Sequence, residues 1–476
     1  MSWREQPSLL QRLRSGEAPS ELSQTEAERV RFRFSGRVSP VRVPEDEHRE
    51  ADFVYRIVER IQRVAEDPSD ENLDRLYRQV DGVELDRFSG MLAIEVARLE
   101  LPELRRWGRW LLERAAHRDP LKLGILLLGL HGTEEDIPDL VLLARQDQLT
   151  KFCLLALNNL VSDPVDLWWE IAAGADGWAR VHAIRFLADR IGDRPDVGHW
   201  LLRHGCFSNL HERYLSAVCA QAGGLAEALR RVVVDEPLLH GARCILTGLA
   251  AAPAQYSQSM FCLGRYLEHL AGRKVEFADV RMLARWRDIL EAHPELSRRV
   301  QGLLDRPEAA ASVQEASRSE DANARRLAWD LAPRVGVVLW QEGVRRLGID
   351  PLNLDIYLRL LPAAGPEQVR EFAAVAAGSL PLETIATGPA ELADFGPEHR
   401  AHGCLDLLLR AMIREAVIQA ELIAAALASP VVENRRRALE LLQEKPLSAE
   451  LAAAVERMLA AEPIQELRFR AARLLA

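Results

Sequence analysis

The chain has 476 residues, enough for about three ordinary domains or one long repeat array. Apolar residues make up 48%, ample for a continuous core, and Gly and Pro are spread along the chain, which argues against extensive disorder. A formal net charge of −10 speaks against nucleic acid or anionic membrane as a general target, and the strongest apolar run, Leu123 to Leu130, falls far short of a bilayer span.

In chain order, the opening MSWREQPSLLQRLRSG lacks the apolar core of a signal peptide and predicts one short helix, Ser8 to Arg14. The segment VRFRFSGRVSPVRVP then alternates at Val30, Phe32 and Phe34, while Pro40 and Pro44 oppose a helix. Residues 1–50 are therefore expected to form an extended, basic N-terminal arm. It carries Arg29, Arg31, Arg33, Arg37 and Arg42, which suit an acidic partner or pair with the acidic run Glu45, Asp46, Glu47 and Glu50.

Residues 51–304 read as helices. The first has Phe53, Val54, Ile57, Val58 and Ile61 on one face. From His117 to Gly192 the pattern repeats: an apolar helical segment, a polar break, and a second segment. Lys122, Lys151 and Arg180 stand 29 residues apart, each opening a helix, and Asp147 and Asp176 precede the last two by four. The second helix recurs as Arg180-x-x-Ala183-x-x-Phe186-Leu187, Arg325-x-x-Ala328-x-x-Leu331, Arg435-x-x-Ala438-x-x-Leu441 and Arg468-x-x-Ala471-x-x-Leu474. This spacing predicts Ala and Leu on the buried stripe, Arg at an exposed helix start, and Asp as the cap of that same helix. Residues 305–321 are small and polar and are expected to form a loop or joint, followed by the second part of the array over 322–476. A further irregular loop is expected over 387–403, which has two Gly-Pro steps.

The Asp-x-x-x-Arg-x-x-Ala-x-x-Leu signal at roughly 30-residue spacing resembles HEAT-type repeats, the helical-pair family related to armadillo repeats. The resemblance is sharpest over 119–190 and 430–476 and extends to 209–251, 320–348 and 400–428. It implies an all-α chain wound as an α-α superhelix, a HEAT/armadillo-like solenoid with an irregular N-terminal arm. In such solenoids the second helices usually line the concave face. The polar residues along them, Asn158, Asn159, Arg185, Asp189, Arg190 and Gln221, are then the expected contact surface, and their mixed charge suits a protein or peptide better than a polyanion.

Signatures of common catalytic sites are missing. The chain has no phosphate-binding Gly-Lys loop, no Gly-x-Gly, no Cys-x-x-Cys, no His-Glu-x-x-His and no Gly-x-Ser-x-Gly. The densest set of metal-ligand types is His199, His204, Cys206, His211 and Cys219. Its spacing fits no standard zinc module, and its cysteines sit in apolar helical contexts, so a packing role is expected, with no cofactor. The six cysteines, Cys153, Cys206, Cys219, Cys244, Cys262 and Cys404, form no regular disulfide framework, as in a reducing cytoplasm. Among enzymes built on similar repeats, the iron-dependent hydroxylase needs several His-Glu pairs, and this chain has one in that order, His211-Glu212. Alkylation-repair DNA glycosylases set aromatic residues around an Asp. Trp168, Trp169, Trp178 and Trp200 near Asp166 and Asp176 offer a parallel, though the acidic net charge favours core packing for them. The function expected is a non-catalytic cytoplasmic scaffold or adaptor for a protein or peptide partner, with self-association through the C-terminal helix available to Leu474 and Leu475. The alternative is a nucleic-acid-binding or repair protein of the same architecture.

Overall fold

Apolar residues at three- and four-residue spacing leave each segment with one greasy stripe, and helices paired stripe to stripe are the economical way to cover it. A computed structural model describes residues 3–17, 19, 22, 44–101, 103–208, 210, 212–393, 396–443 and 446–476. Among the described residues the chain is all-α, with no strand beyond an isolated parallel bridge between Leu392 and Val431. No described helix is long and apolar enough to cross a membrane. The backbone separates into two compact units, residues 1–304 and 305–476.

The first unit begins with Leu9–Arg14, whose Ser8 hydroxyl accepts from the Gln11 amide while the Gln11 side chain returns the bond. Trp3 stacks on Tyr77 at 3.8 Å and donates to Asp74. The Tyr77 hydroxyl accepts from the amides of Ala116 and His117, so it satisfies a turn that would otherwise leave buried N–H groups unpaired. The next helix runs Pro44–Glu66, which corrects the expected arm boundary: Pro44 starts a helix rather than preventing one, because the first turn needs no amide donor. The five arginines assigned to the arm lie outside the described residues.

Beyond residue 117 second helices pack against second helices in series: Arg118–His131, Thr150–Leu160, Gly177–Asp189, Ser216–Gly223, Glu236–Leu249 and Phe277–Arg287. Close approach depends on small residues. At Gly241 any β-carbon would overlap the carbonyl of Leu202, where the neighbouring helix widens into a single π-type turn over Leu201–Gly205.

The repeated basic residue is not where its spacing placed it. Arg180 and Arg435 are buried, not exposed. The Arg180 guanidinium donates to the carbonyls of Ala172 and Ala175 at the end of the preceding helix and to His204 of the following pair. Arg435 repeats the arrangement with the carbonyls of Ser429, Pro430 and Ala390, plus a two-point pair to Glu462 at 2.7 and 2.9 Å. Arg325, half-buried, donates to Ser319 and Glu320. A helix end leaves carbonyls without partners, and a guanidinium with five donors can satisfy several at once. Arg468, the last in the series, is exposed.

Asp176 and Asp321 cap their own helices as expected, whereas Asp147 acts on the next one. Asp147 accepts from the amide of Ala179, so it caps the helix of the next pair. The contact requires Gly177, which has φ +58° and lies close enough that a β-carbon would sit 3.1 Å from the Asp147 carboxylate. Asp176 caps its own helix through Gly177 and also accepts from Ser208 of the next pair.

Where composition predicts a loop or joint over 305–321, the two units divide at 304/305 and Pro307–Ser317 forms a helix rather than a loop. Its Ala309, Ser312 and Val313 are buried, so small residues there permit close packing rather than flexibility. The second break contracts, since a short turn at Pro397–His399 leads directly into the helix Arg400–Arg414. One core runs from Trp340 to Ala471, and Leu474 and Leu475 pack on it partly buried. Asp406, 3% exposed, accepts from Arg410 on its own helix and from Arg437 across the pair.

Arg435 and Glu462 both have fully buried side chains. Arg435→Met or Glu462→Gln alone is expected to cost about 3–5 kcal/mol, because the remaining charge stays buried without its partner. The double replacement with Met should recover only part of this, since three carbonyls lose their donor. Urea denaturation of the three variants measures the difference, and full recovery in the double variant would show that the carbonyl bonds contribute nothing.

Candidate functional site

Two concave features of the first unit decide what chemistry it can support. The larger, a cleft of about 800 Å³, is bounded by Arg203, His204, Phe207, Glu236, His240, Arg243, Tyr266, Arg273, Lys274, Glu276 and Asp279. Its charges are spent on one another. Arg203 pairs with Asp235 at 2.6 Å, Arg273 with Glu236, and Arg243 with Glu276 at 2.7 Å and Asp279 at 3.2 Å. The Tyr266 hydroxyl donates to Asp279 at 2.6 Å, and burial together with that carboxylate holds it well above the ordinary phenol range. His240 sits edge-on to Phe207, and burial and Arg243 push its pKa down. Lys274 is the one lining cation without a carboxylate partner among the described residues. These walls are electrostatically quiet, and no activated nucleophile or base faces the space.

The second feature is a groove of about 240 Å³ on the face of the second helices. Leu126, Gly129 and Leu130 of helix 118–131 and Phe152, Leu155 and Ala156 of helix 150–160 form its apolar floor. Asp86, Ser89, Gly90 and Ala93 form the opposite wall, with Lys151 and Asn159 at the polar edge. Lys122, whose side chain is fully buried, closes one end through an ion pair to Asp86 and stands 5.4 Å over the Phe152 ring. Leu155 is 55% exposed although it lies in an apolar helix. Ile94, next to Ala93, is 57% exposed.

Of the six polar residues expected to make contact, Asn159 lines this groove. Arg185 lies close enough to Lys151 to act on its charge, and Asp189 acts on Arg185. Asn158 is half-buried, while Arg190 and Gln221 are exposed and lie outside the groove lining. Sequence reasoning passed over Leu155 and Phe152 because they read as core. The available signal was the four-residue stripe Lys151, Leu155, Asn159, which places a leucine among polar positions.

Trp168 and Trp178 are buried at 2% exposure, Trp168 edge-on to Phe186 at 5.5 Å, and so serve packing. Trp169 and Trp200 are half-buried and meet edge to face at 6.1 Å. Among the described residues no three His, Cys, Asp or Glu side chains converge to hold a metal; His211 lies outside them. Cys206 contacts the Ser216 hydroxyl, and the backbone carbonyl of His204 accepts from Arg180. Burial raises the thiols of Cys219 and Cys404 to about 12 and that of Cys262 to about 11, and it raises Cys153 further. Compared with family models, curated proteins and solved structures, the chain matches none of them.

His182, 4% exposed, is held at about 3 by burial, with Lys151 and Arg185 adding to the effect. Unfolded, the same imidazole titrates near 6.5, so below that pH the unfolded chain takes up a proton that the folded chain refuses. Stability is expected to fall as pH drops from about 6.5 toward 3, by up to ~1.4 kcal/mol per pH unit for one such site. Thermal melts between pH 7 and 4.5 should decline less steeply for His182→Leu than for the parent; parallel curves would assign the acid sensitivity to other groups. The thiols supply a second check. With their thiolates suppressed, Cys153, Cys219, Cys262 and Cys404 should resist a thiol reagent at pH 7.5 in the folded protein and react in denaturant. Rapid labelling of these four in the native state would contradict their burial.

Proposed function

We propose that the chain is a non-catalytic α-helical repeat scaffold of the HEAT/armadillo type, wound as a solenoid, that binds a peptide or protein segment on the face of its second helices. The observation that carries this reading is the groove beside Leu155: an apolar floor open to solvent, with Lys151 and Asn159 at its edge and the ion-paired Asp86 in its wall. Concave sites lined by apolar side chains and a few placed polar groups are the usual form of a recognition site. Covering the exposed 55% of Leu155 yields about half the ~1.5–3 kcal/mol of a full leucine burial, which suits it as an anchor.

The favoured ligand is an extended or helical segment with one apolar anchor and an acidic neighbour. Lys151 at the edge and Arg185 beyond it supply the complementary charge. The net charge of −10 and the pairing of most arginines with carboxylates support a protein partner over a polyanion. On this reading the chain works in the cytoplasm without a cofactor.

A displayed peptide library selected on the full chain is expected to enrich apolar residues flanked by Asp or Glu. Leu155→Arg, at an exposed position that folding does not need, should weaken the selected peptides at least tenfold, a loss of about 1.4 kcal/mol. Equal binding by the parent and a Leu155→Arg variant of unchanged melting temperature would remove the groove from the binding site.

A further inference from the structure

The second unit contains a cleft of about 270 Å³ whose character departs from the rest of this acidic chain. Four guanidiniums line it, from Arg325, Arg326, Arg346 and Arg359, against two carboxylates, Asp350 and Asp355. Counting the partners Arg345, Glu342 and Asp330 as well, five guanidiniums meet four carboxylates. The positive side is in excess on either count.

The donors are also incompletely used. Arg325 points one nitrogen at the carbonyls of Ser319 and Glu320, as its ladder position requires. Arg346 uses only Nε, toward Glu342, and that carboxylate also accepts from Nε and Nη2 of Arg345. Arg359 uses only Nη2, toward Asp330 at 2.7 Å. Arg326 is exposed and has no partner among the described residues. Several forked N–H groups from three side chains therefore face one small space beside the half-buried indole of Trp329 and the 65% exposed side chain of Ile349.

We infer that this cleft binds a small phosphomonoester, with its phosphate held by Arg326, Arg346 and Arg359 and its organic body against Trp329. A phosphate monoester offers three acceptor oxygens and a charge of about −1.5 to −2 at neutral pH, matching donors that converge from different directions better than a single carboxylate would. Guanidinium forks are suited to such oxyanions. The volume lies at the low end for ligand sites, which selects a small molecule over a bulky one. Asp350 and Asp355 stand at the same cleft and disfavour longer polyanions by repulsion.

Isothermal titration of the full chain with phenyl phosphate tests the assignment, with inorganic phosphate and phenol as comparators. Saturable binding of phenyl phosphate is expected, tighter than inorganic phosphate, with none for phenol. It should tighten between pH 5.0 and 7.5, as the second phosphate ionisation near pH 6 completes the dianion, and weaken with salt. Arg326→Gln changes an exposed, unpaired side chain and should lower affinity at least tenfold with the melting temperature unchanged. No saturable binding of phenyl phosphate, or equal binding by Arg326→Gln, overturns the inference. A phosphotyrosine peptide binding a hundredfold more tightly than phenyl phosphate would overturn the small-molecule assignment in favour of a protein ligand. The Leu155 groove lies in the other unit, so either result leaves its test unaffected.

Discussion

The buried guanidinium near the start of a helix, at Arg180 and again at Arg435, is the interaction on which the packing around it depends. A helix that ends against a tight turn leaves carbonyls facing inward with no amide to meet them. Arg180 and Arg435 reach into that space and satisfy two or more carbonyls each, then extend to the next pair through His204 or Glu462. Removing the charge from water is costly, and several simultaneous hydrogen bonds offset that cost. The aspartates complete the linkage in the same direction. Asp147 spans 32 residues to cap the following pair, so helix ends are joined from one repeat to the next. The excess of arginine over lysine thus has a structural use, because a lysine ammonium cannot present a planar fork to several carbonyls.

Departures from this arrangement coincide with two of the concave features of the surface. Lys122, Lys151 and Arg180 occupy one register position in three successive repeats. Lys122 is buried against Asp86, Arg180 is buried on carbonyls, and Lys151 alone is exposed, at the edge of the groove. The leucine one turn further along, Leu155, is exposed with it. In the second unit the corresponding arginine, Arg325, serves its carbonyls while the adjacent Arg326 does not, and the latter stands free in the arginine-lined cleft. In both places a basic side chain lines a cavity.

The rest of the chemistry is subdued. Thiols are raised by burial, His182 is kept neutral, and the cleft of about 800 Å³ has its arginines paired with carboxylates. Such groups change the stability of the fold with pH.

The sequence by itself determined the helical class, because amphipathic spacing and recurring Arg-x-x-Ala-x-x-Leu segments are properties of neighbours along the chain. It also marked the His117–Gly192 stretch that contributes much of the groove. Tertiary structure decided the roles. Periodicity assigns a residue to a face of its own helix, and it cannot say that a charged first-turn residue will be covered by the next pair, as Arg180 and Arg435 are. Composition made residues 305–321 look like a loop, yet Ala309 and Ser312 are small because they pack inside a helix. Leu155 and Phe152 read as core in the same helix, and only the placement of helix 118–131 and the turn at Asp86 left one exposed over a groove. Arg326, Arg346 and Arg359 are scattered through 34 residues of sequence and became a single cleft through the packing of three helices.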